Sequence, residues 1–301
     1  MNILETTQLT KTYGRNTVVH NVSLTIKRGH IYGLIGTNGA GKSTLMKMIC
    51  GFTAPTSGSI RLFDDVNLRK QQQKIGSMIE APALSEHMTA QENLRHARLL
   101  RGIPNKALET ELLTLVGLPD VAHKKTKDFS LGMKQRLGIA LSLVGNPDFL
   151  LLDEPVNGLD PIGVVEIRKL LKKLVEERNM TVLISSHNLP ELFQTATDYF
   201  IMHQGMLVQT LTHEELEKAC QHYLYIESDN TAHTLTALED LGYEQLVVLE
   251  NGGIKVLDEV ASLSDLSRQL IEAGALLTAF YRHGDTLENY FLSVIGGAAH
   301  V

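Results

Sequence analysis

One run of the chain, Gly36-Thr37-Asn38-Gly39-Ala40-Gly41-Lys42-Ser43-Thr44, fits the pattern G-x-x-x-x-G-K-[ST]. It stands between a short apolar segment, IYGLIG, and a segment of helix formers, KSTLMKMIC. Glycines at these places let backbone N–H groups curl around an anion, and a helix that starts there points its positive end at the same anion. Lys42 adds a point charge over the β and γ phosphates of a nucleoside triphosphate, and the Ser43 hydroxyl suits Mg²⁺. A second constellation lies far along the chain, where Phe149 to Leu152 run straight into Asp153 and Glu154. Two carboxylates at the carboxyl end of a buried strand sit where open α/β sheets bind ligands. Asp153 suits Mg²⁺, and Glu154 can polarise an attacking water. An acidic pair before Pro155 also suits a plain turn, but beside a phosphate-binding loop the catalytic reading is preferred. A GTPase is excluded because the Asn105-Lys106 pair continues as Ala-Leu and gives no N-K-x-D. Twelve histidines form no HExxH and no i,i+4 pair, so a histidine-built metal centre is set aside.

These residues need elements to hold them. Period-two alternation over residues 1 to 9 and 17 to 26 predicts antiparallel strands joined through KTYGRN. IYGLIG is a short strand, and residues 42 to 50 form the helix that FTAPTSGS stops. Helices are predicted over 89 to 117, broken by GIPN, and over 130 to 145. FLLLD and TVLISS, with a helix at 162 to 178 between them, make a βαβ unit of a parallel sheet. From residue 222 the pattern becomes strand, helix, strand, GG turn, strand, helix, strand and a last helix. That order predicts a small α+β domain of ferredoxin-like type.

Composition divides the chain at the same place. At 301 residues it exceeds the usual single domain, and 43% apolar with 21% charged residues predicts a soluble globular protein. The net charge of −6 is uneven: residues 219 to 301 hold 3 basic and 12 acidic side chains, against 25 and 22 before them. Residues 1–218 and 219–301 are therefore read as two domains, and the absence of a strongly basic face argues against nucleic acid as a partner. No apolar run is long enough to span a membrane, and the N-terminus lacks the pattern of a secretion signal. Cys50 and Cys220, too few and too far apart for a framework, predict a reducing compartment.

KDFSLGMKQRLGIALSL, residues 127 to 143, resembles the signature segment of the ATP-binding-cassette (ABC) ATPases, and the likeness runs from residue 1 to about 218. The resemblance implies an α/β P-loop cassette with a mixed sheet core, an antiparallel β subdomain and a helical subdomain, followed here by the small C-terminal α+β domain. It implies that Tyr13 stacks on adenine, that Asp160 in NGLD faces an opposite subunit, and that His187 contacts the γ-phosphate. It also implies a head-to-tail dimer, with each ATP between the P-loop of one chain and the signature of the other. Ser130 and Gly132 fit that role, a hydroxyl and a close backbone approach at the positive end of a helix. The signature reads Phe-Ser-Leu-Gly-Met where Leu-Ser-Gly-Gly-Gln is usual, keeping the serine and second glycine. In IGSMIEAPAL, Glu80 replaces the usual glutamine that links Mg²⁺ and water to the permease contact. Both departures are similar to the subfamily that exports bacitracin and lantibiotic peptides. The implied protein is thus an ATP-hydrolysing transporter subunit using ATP and Mg²⁺, held at the cytoplasmic face of the membrane by a permease. A soluble regulatory ABC ATPase is the alternative, although the second cassette or inserted coiled coil of soluble relatives is missing.

Overall fold

The computed structural model describes residues 1–220, 223–249, 251–284 and 286–298. Two compact units account for them, Met1–His213 together with Ala298, and Glu214–Gly297. In the first, the strands are β1 (Asn2–Tyr13), β2 (Asn16–Lys27), β3 (Ile31–Ile35), β4 (Ser57–Leu62), β5 (Ile75–Met78), β6 (Phe149–Asp153), β7 (Thr181–Ser186), β8 (Asp198–His203) and β9 (Met206–Thr212). The main sheet has the order β5-β6-β7-β3-β8-β9, parallel except for β9, which returns antiparallel to β8. Every residue of β3, β6 and β7 is buried, which is why these strands read as unbroken apolar runs rather than alternations. Tyr32 of β3 stacks on Phe200 of β8 with ring centroids 5.2 Å apart.

A second sheet, β2-β1-β4, is antiparallel. Here the structure corrects two expectations. β1 does not stop near residue 9 but runs to Tyr13, paired with Asn16, so the turn shrinks to Gly14 and Arg15, with Gly14 at φ 59°. β4 begins within the region read only as a helix stop and runs past it, with Gly58 at φ 84° packed so closely on Gln8 that a Cβ would clash with its carbonyl oxygen. Between β5 and β6 come the helices Ala90–Leu100, Ala107–Leu115 and Leu131–Ser142. Thr89 and Glu92 form a reciprocal capping box on the first of these, and Ser130 caps the last by accepting from Met133 N. A buried ion pair, Arg98 Nε to Glu109 Oε1 at 2.9 Å, ties the first two together.

The second unit is built on β10 (Tyr223–Ser228), β11 (Leu246–Val248), β12 (Ile254–Val256) and β13 (Leu277–His283), ordered β11-β12-β10-β13 and antiparallel throughout. The helices Thr231–Asp240 and Leu263–Glu272 give the order β-α-β-β-α-β, and Leu224, Ile226, Leu238, Ile254, Val256, Leu266 and Leu270 form its core. The unit begins at Glu214, inside the helix His213–Cys220, a few residues ahead of the composition step. Of the span 219–301, residues 221, 222, 250, 285 and 299–301 lie outside the described residues.

Candidate nucleotide site

The glycine-rich loop leaves β3 at Gly36, where a Cβ would lie 2.7 Å from the carbonyl oxygen of Met202, so no larger residue fits. Gly39 at φ 82° and Gly41 at φ 99° turn the chain in the left-handed region, and Ala40 N donates to Thr37 O at 3.1 Å. Thr37, Asn38 and Gly39 are exposed, Ala40 is buried, and Ser43 and Thr44 are half-buried. The helix Lys42–Ile49 starts without a side-chain cap, which leaves its first N–H groups to a ligand. Lys42 is only 5% exposed, and its ammonium donates to Gly36 O at 2.7 Å and Thr37 O at 3.2 Å. Burial lowers the Lys42 pKa, and the charges of Glu154 and Asp153 partly restore it.

Those carboxylates arrive from β6. Asp153 pairs with Ser185 of β7, and Ser185 Oγ donates to Asp153 Oδ1 at 2.5 Å. Glu154 stands at φ 48°, its N–H directed at Ser185 Oγ at 3.0 Å. Its side chain then splits: Oε2 shares a 2.9 Å hydrogen bond with His187 Nδ1, and Oε1 lies 3.8 Å from Lys42 Nζ. Residues 42, 153, 154 and 187, scattered over the sequence, thus meet at the carboxyl ends of β3, β6 and β7. The sequence does not single out Ser185. Its signal lies in the register that sets it opposite Asp153, which only strand pairing reveals.

The other expected residues are placed separately. Tyr13 is half exposed at the hairpin end of β1, with Lys11 Nζ 4.8 Å from its ring centroid. Glu80 Oε1 meets Lys47 Nζ at 2.5 Å rather than any residue of the glycine-rich loop. Ser130 and Asp160 are exposed helix caps, Asp160 Oδ1 accepting from Gly163 N at 3.0 Å. The signature and the NGLD loop adjoin, since a Cβ on Gly158 would lie 3.1 Å from Leu131 Cδ2. Among the described residues, Ser130, Gly132 and Asp160 share no hydrogen bond or ion pair with the Lys42 cluster.

The donor set fits a magnesium nucleotide. Among the described residues no three His, Cys, Asp or Glu side chains form a metal cage, but Mg²⁺ held by one carboxylate, a hydroxyl and phosphate oxygens needs none. Asp153 and Ser43 would hold the ion, which when bound neutralises phosphate charge. Lys42 is placed where it could orient the phosphates, and Glu154, hydrogen-bonded to His187, where it could accept a proton from water.

Residues 19–157 match the family described as ABC transporter. The bacitracin transport ATP-binding protein BcrA of Enterococcus faecalis is 40% identical over 298 residues, covering 98% of this chain and 97% of that protein. The chain belongs to the ABC transporter ATP-binding proteins. Within this ABC family, the lantibiotic transport ATP-binding protein SrtF of Streptococcus pyogenes is 42% identical over 206 residues, or 68% of this chain and 89% of that one. A dimeric structure of the ATP-binding cassette MJ0796 in a post-hydrolysis state, bound to ADP and Pi, superposes with a TM-score of 0.64 at 27% identity, covering 70% of this chain and 99% of that one. The protein is an ATP-binding subunit of an ABC transporter and hydrolyses ATP. ABC subunits of this kind dimerise and work with a membrane permease. Among the described residues no helix is long and apolar enough to cross a membrane.

Proposed function

We propose that this subunit powers export of a peptide antibiotic of the bacitracin or lantibiotic kind, as a homodimer on the cytoplasmic face of a permease, with one Mg²⁺-ATP at each of two shared sites. The carrying observation is the length of the likeness: the bacitracin transport relative matches 98% of the chain, second unit included. Within each site Lys42 grips the β and γ phosphates, Ser43 and Asp153 hold Mg²⁺, and Glu154 with His187 activates water. Gly36 to Gly41 and Thr44 line the phosphates, Tyr13 meets the base, and Glu80 lies beside the metal. Ser130, Gly132 and Asp160 act across the dimer. Gly132 supports that arrangement, because a Cβ there would meet only Leu159 Cδ2, at an ordinary 3.7 Å. Among the described residues nothing demands glycine there, whereas a nucleotide phosphate held by a second chain and approaching the backbone would.

A groove of about 400 Å³, lined by Phe52, Met78, Ile79, Ala97, Leu100 and Leu141, is the proposed permease seat. Phe52 and Leu100 are 67% and 75% exposed on it, which suits an apolar segment of the membrane subunit. Residues 219–301 form the accessory domain and contribute no nucleotide ligand. The test is survival of susceptible cells carrying this subunit with its permease when challenged with bacitracin or a lantibiotic. Protection that vanishes with Glu154→Gln is expected. Absence of protection, together with failure to co-purify with any membrane protein, would leave a soluble ABC ATPase instead.

A further inference from the structure

Three carboxylates gather near the carboxyl ends of β5 and β6. Asp153 closes β6, Glu154 follows it, and Glu80 lies two residues beyond β5, whose Met78 pairs with Leu152. Each glutamate faces a lysine from the same helix, Lys42–Ile49: Glu154 faces Lys42 at 3.8 Å and Glu80 meets Lys47 at 2.5 Å. Lys47 stands four residues after Ser43 and so lies on the same face of the helix, one turn away. Its ammonium also feels Tyr13 and Asp153, and its pKa is raised chiefly by the hydrogen bond to Glu80. The glutamate is set for this partner by its backbone, which occupies the left-handed region at φ 69°, and by a tight turn in which Ala81 N donates to Ile79 O at 3.1 Å.

The side chains of the pair are 34% and 67% exposed, and an isolated pair of that kind contributes little to stability. Its importance comes from its place. A triphosphate is strongly anionic, and a bare carboxylate beside Asp153 and Glu154 would repel it. We propose that Lys47 is a positioning residue, the counter-ion that holds the Glu80 carboxylate against the P-loop helix and cancels its charge toward an incoming nucleotide. The proposal rests on the nucleotide site assigned above.

Equilibrium binding of a fluorescent ATP analogue to the full chain tests it, in EDTA and in Mg²⁺, with Lys47→Gln, Glu80→Gln and the double variant. In EDTA, where no metal offsets Glu80, Lys47→Gln is expected to weaken binding by about fivefold, the upper range for an exposed charge pair. The double variant should return to within about twofold of wild type, and Lys47→Arg, which keeps the charge, should match wild type and covers the case of an unstable glutamine variant. A double variant as weak as Lys47→Gln alone would mean that Lys47 touches the nucleotide itself, and would overturn the proposal. Equal affinity in all variants would also overturn it, leaving an ordinary surface pair. Lys42→Ala serves as the control: if it binds like wild type, the nucleotide site and not the pair is what fails.

Discussion

In the first unit β5, β6, β7, β3 and β8 run parallel, so their carboxyl ends share one edge, and Gly36, Asp153, Glu154 and His187 issue from three of them. In the second unit β11, β12, β10 and β13 alternate in direction, and each edge of the sheet mixes strand starts with strand ends. Both sheets bury an apolar core with helices. The difference lies in what a common strand direction does: it brings loops distant in sequence to one edge, where helix N-termini and carboxylates can converge on one ligand. An antiparallel sheet of the same size disperses them.

The sharpest way to break this contrast is Lys42→Ala, which removes the ammonium buried among Gly36 O, Thr37 O and Glu154. Nucleotide affinity is expected to fall by about 10² or more, the loss of a charge-assisted phosphate contact in a desolvated site. Isothermal titration reads this directly, and unchanged affinity would sink the assignment. Glu154→Gln should leave binding intact and slow hydrolysis by roughly 10², as expected when a general base is removed. An ATP-dependent dimer should then accumulate on gel filtration. Wild-type turnover in that variant would mean that another group takes the proton.

Leu238→Ala probes the other side of the comparison. Leu238 is fully buried in the second core, and its truncation should cost that unit about 2–5 kcal/mol. Thermal melting should show the loss while nucleotide affinity stays within about twofold of wild type. Deletion of residues 219–301 from a chain that remains folded should likewise spare ATP binding. A fall in affinity in either variant would show the second unit to be part of the nucleotide machinery. The smallest effect expected is at Cys50, whose thiol is pushed up to about 11 by burial. Iodoacetamide at pH 8 should therefore label native Cys50 far more slowly than the unfolded chain.

Much of the cassette was legible because its chemistry depends on short range. Gly36 to Ser43 are contiguous, and FLLLD announces its buried strand and its carboxylate together. β5, β8 and β9 are illegible in the sequence for different reasons. IGSM is four residues with a glycine and a serine, and Gly76 is there because a Cβ would lie 2.2 Å from Ser142 O, a packing constraint invisible before folding. β8 and β9 hinge on Gln204 and Gly205, at φ 46° and 82°, a turn whose partner strands become clear only once β8 lies beside β3. The role of Ser185 depends on register, and the partner of Glu80 is 33 residues away. Ser130 and Asp160 carry a further lesson. Each already caps a helix, so substituting either perturbs fold and ligand together.

At Glu154 the backbone itself prefers a different residue. A side chain at φ 48° costs about 1–3 kcal/mol, and glycine would relieve that cost. Glu154→Gly should therefore melt no lower than Glu154→Gln, and both should hydrolyse ATP at least roughly 10² more slowly than wild type. A library of this gene ranked by thermal tolerance alone would drift toward glycine at this position and enrich inert pumps. Durability and turnover pull one residue in opposite directions, and any effort to harden this protein would have to leave Glu154 outside its search.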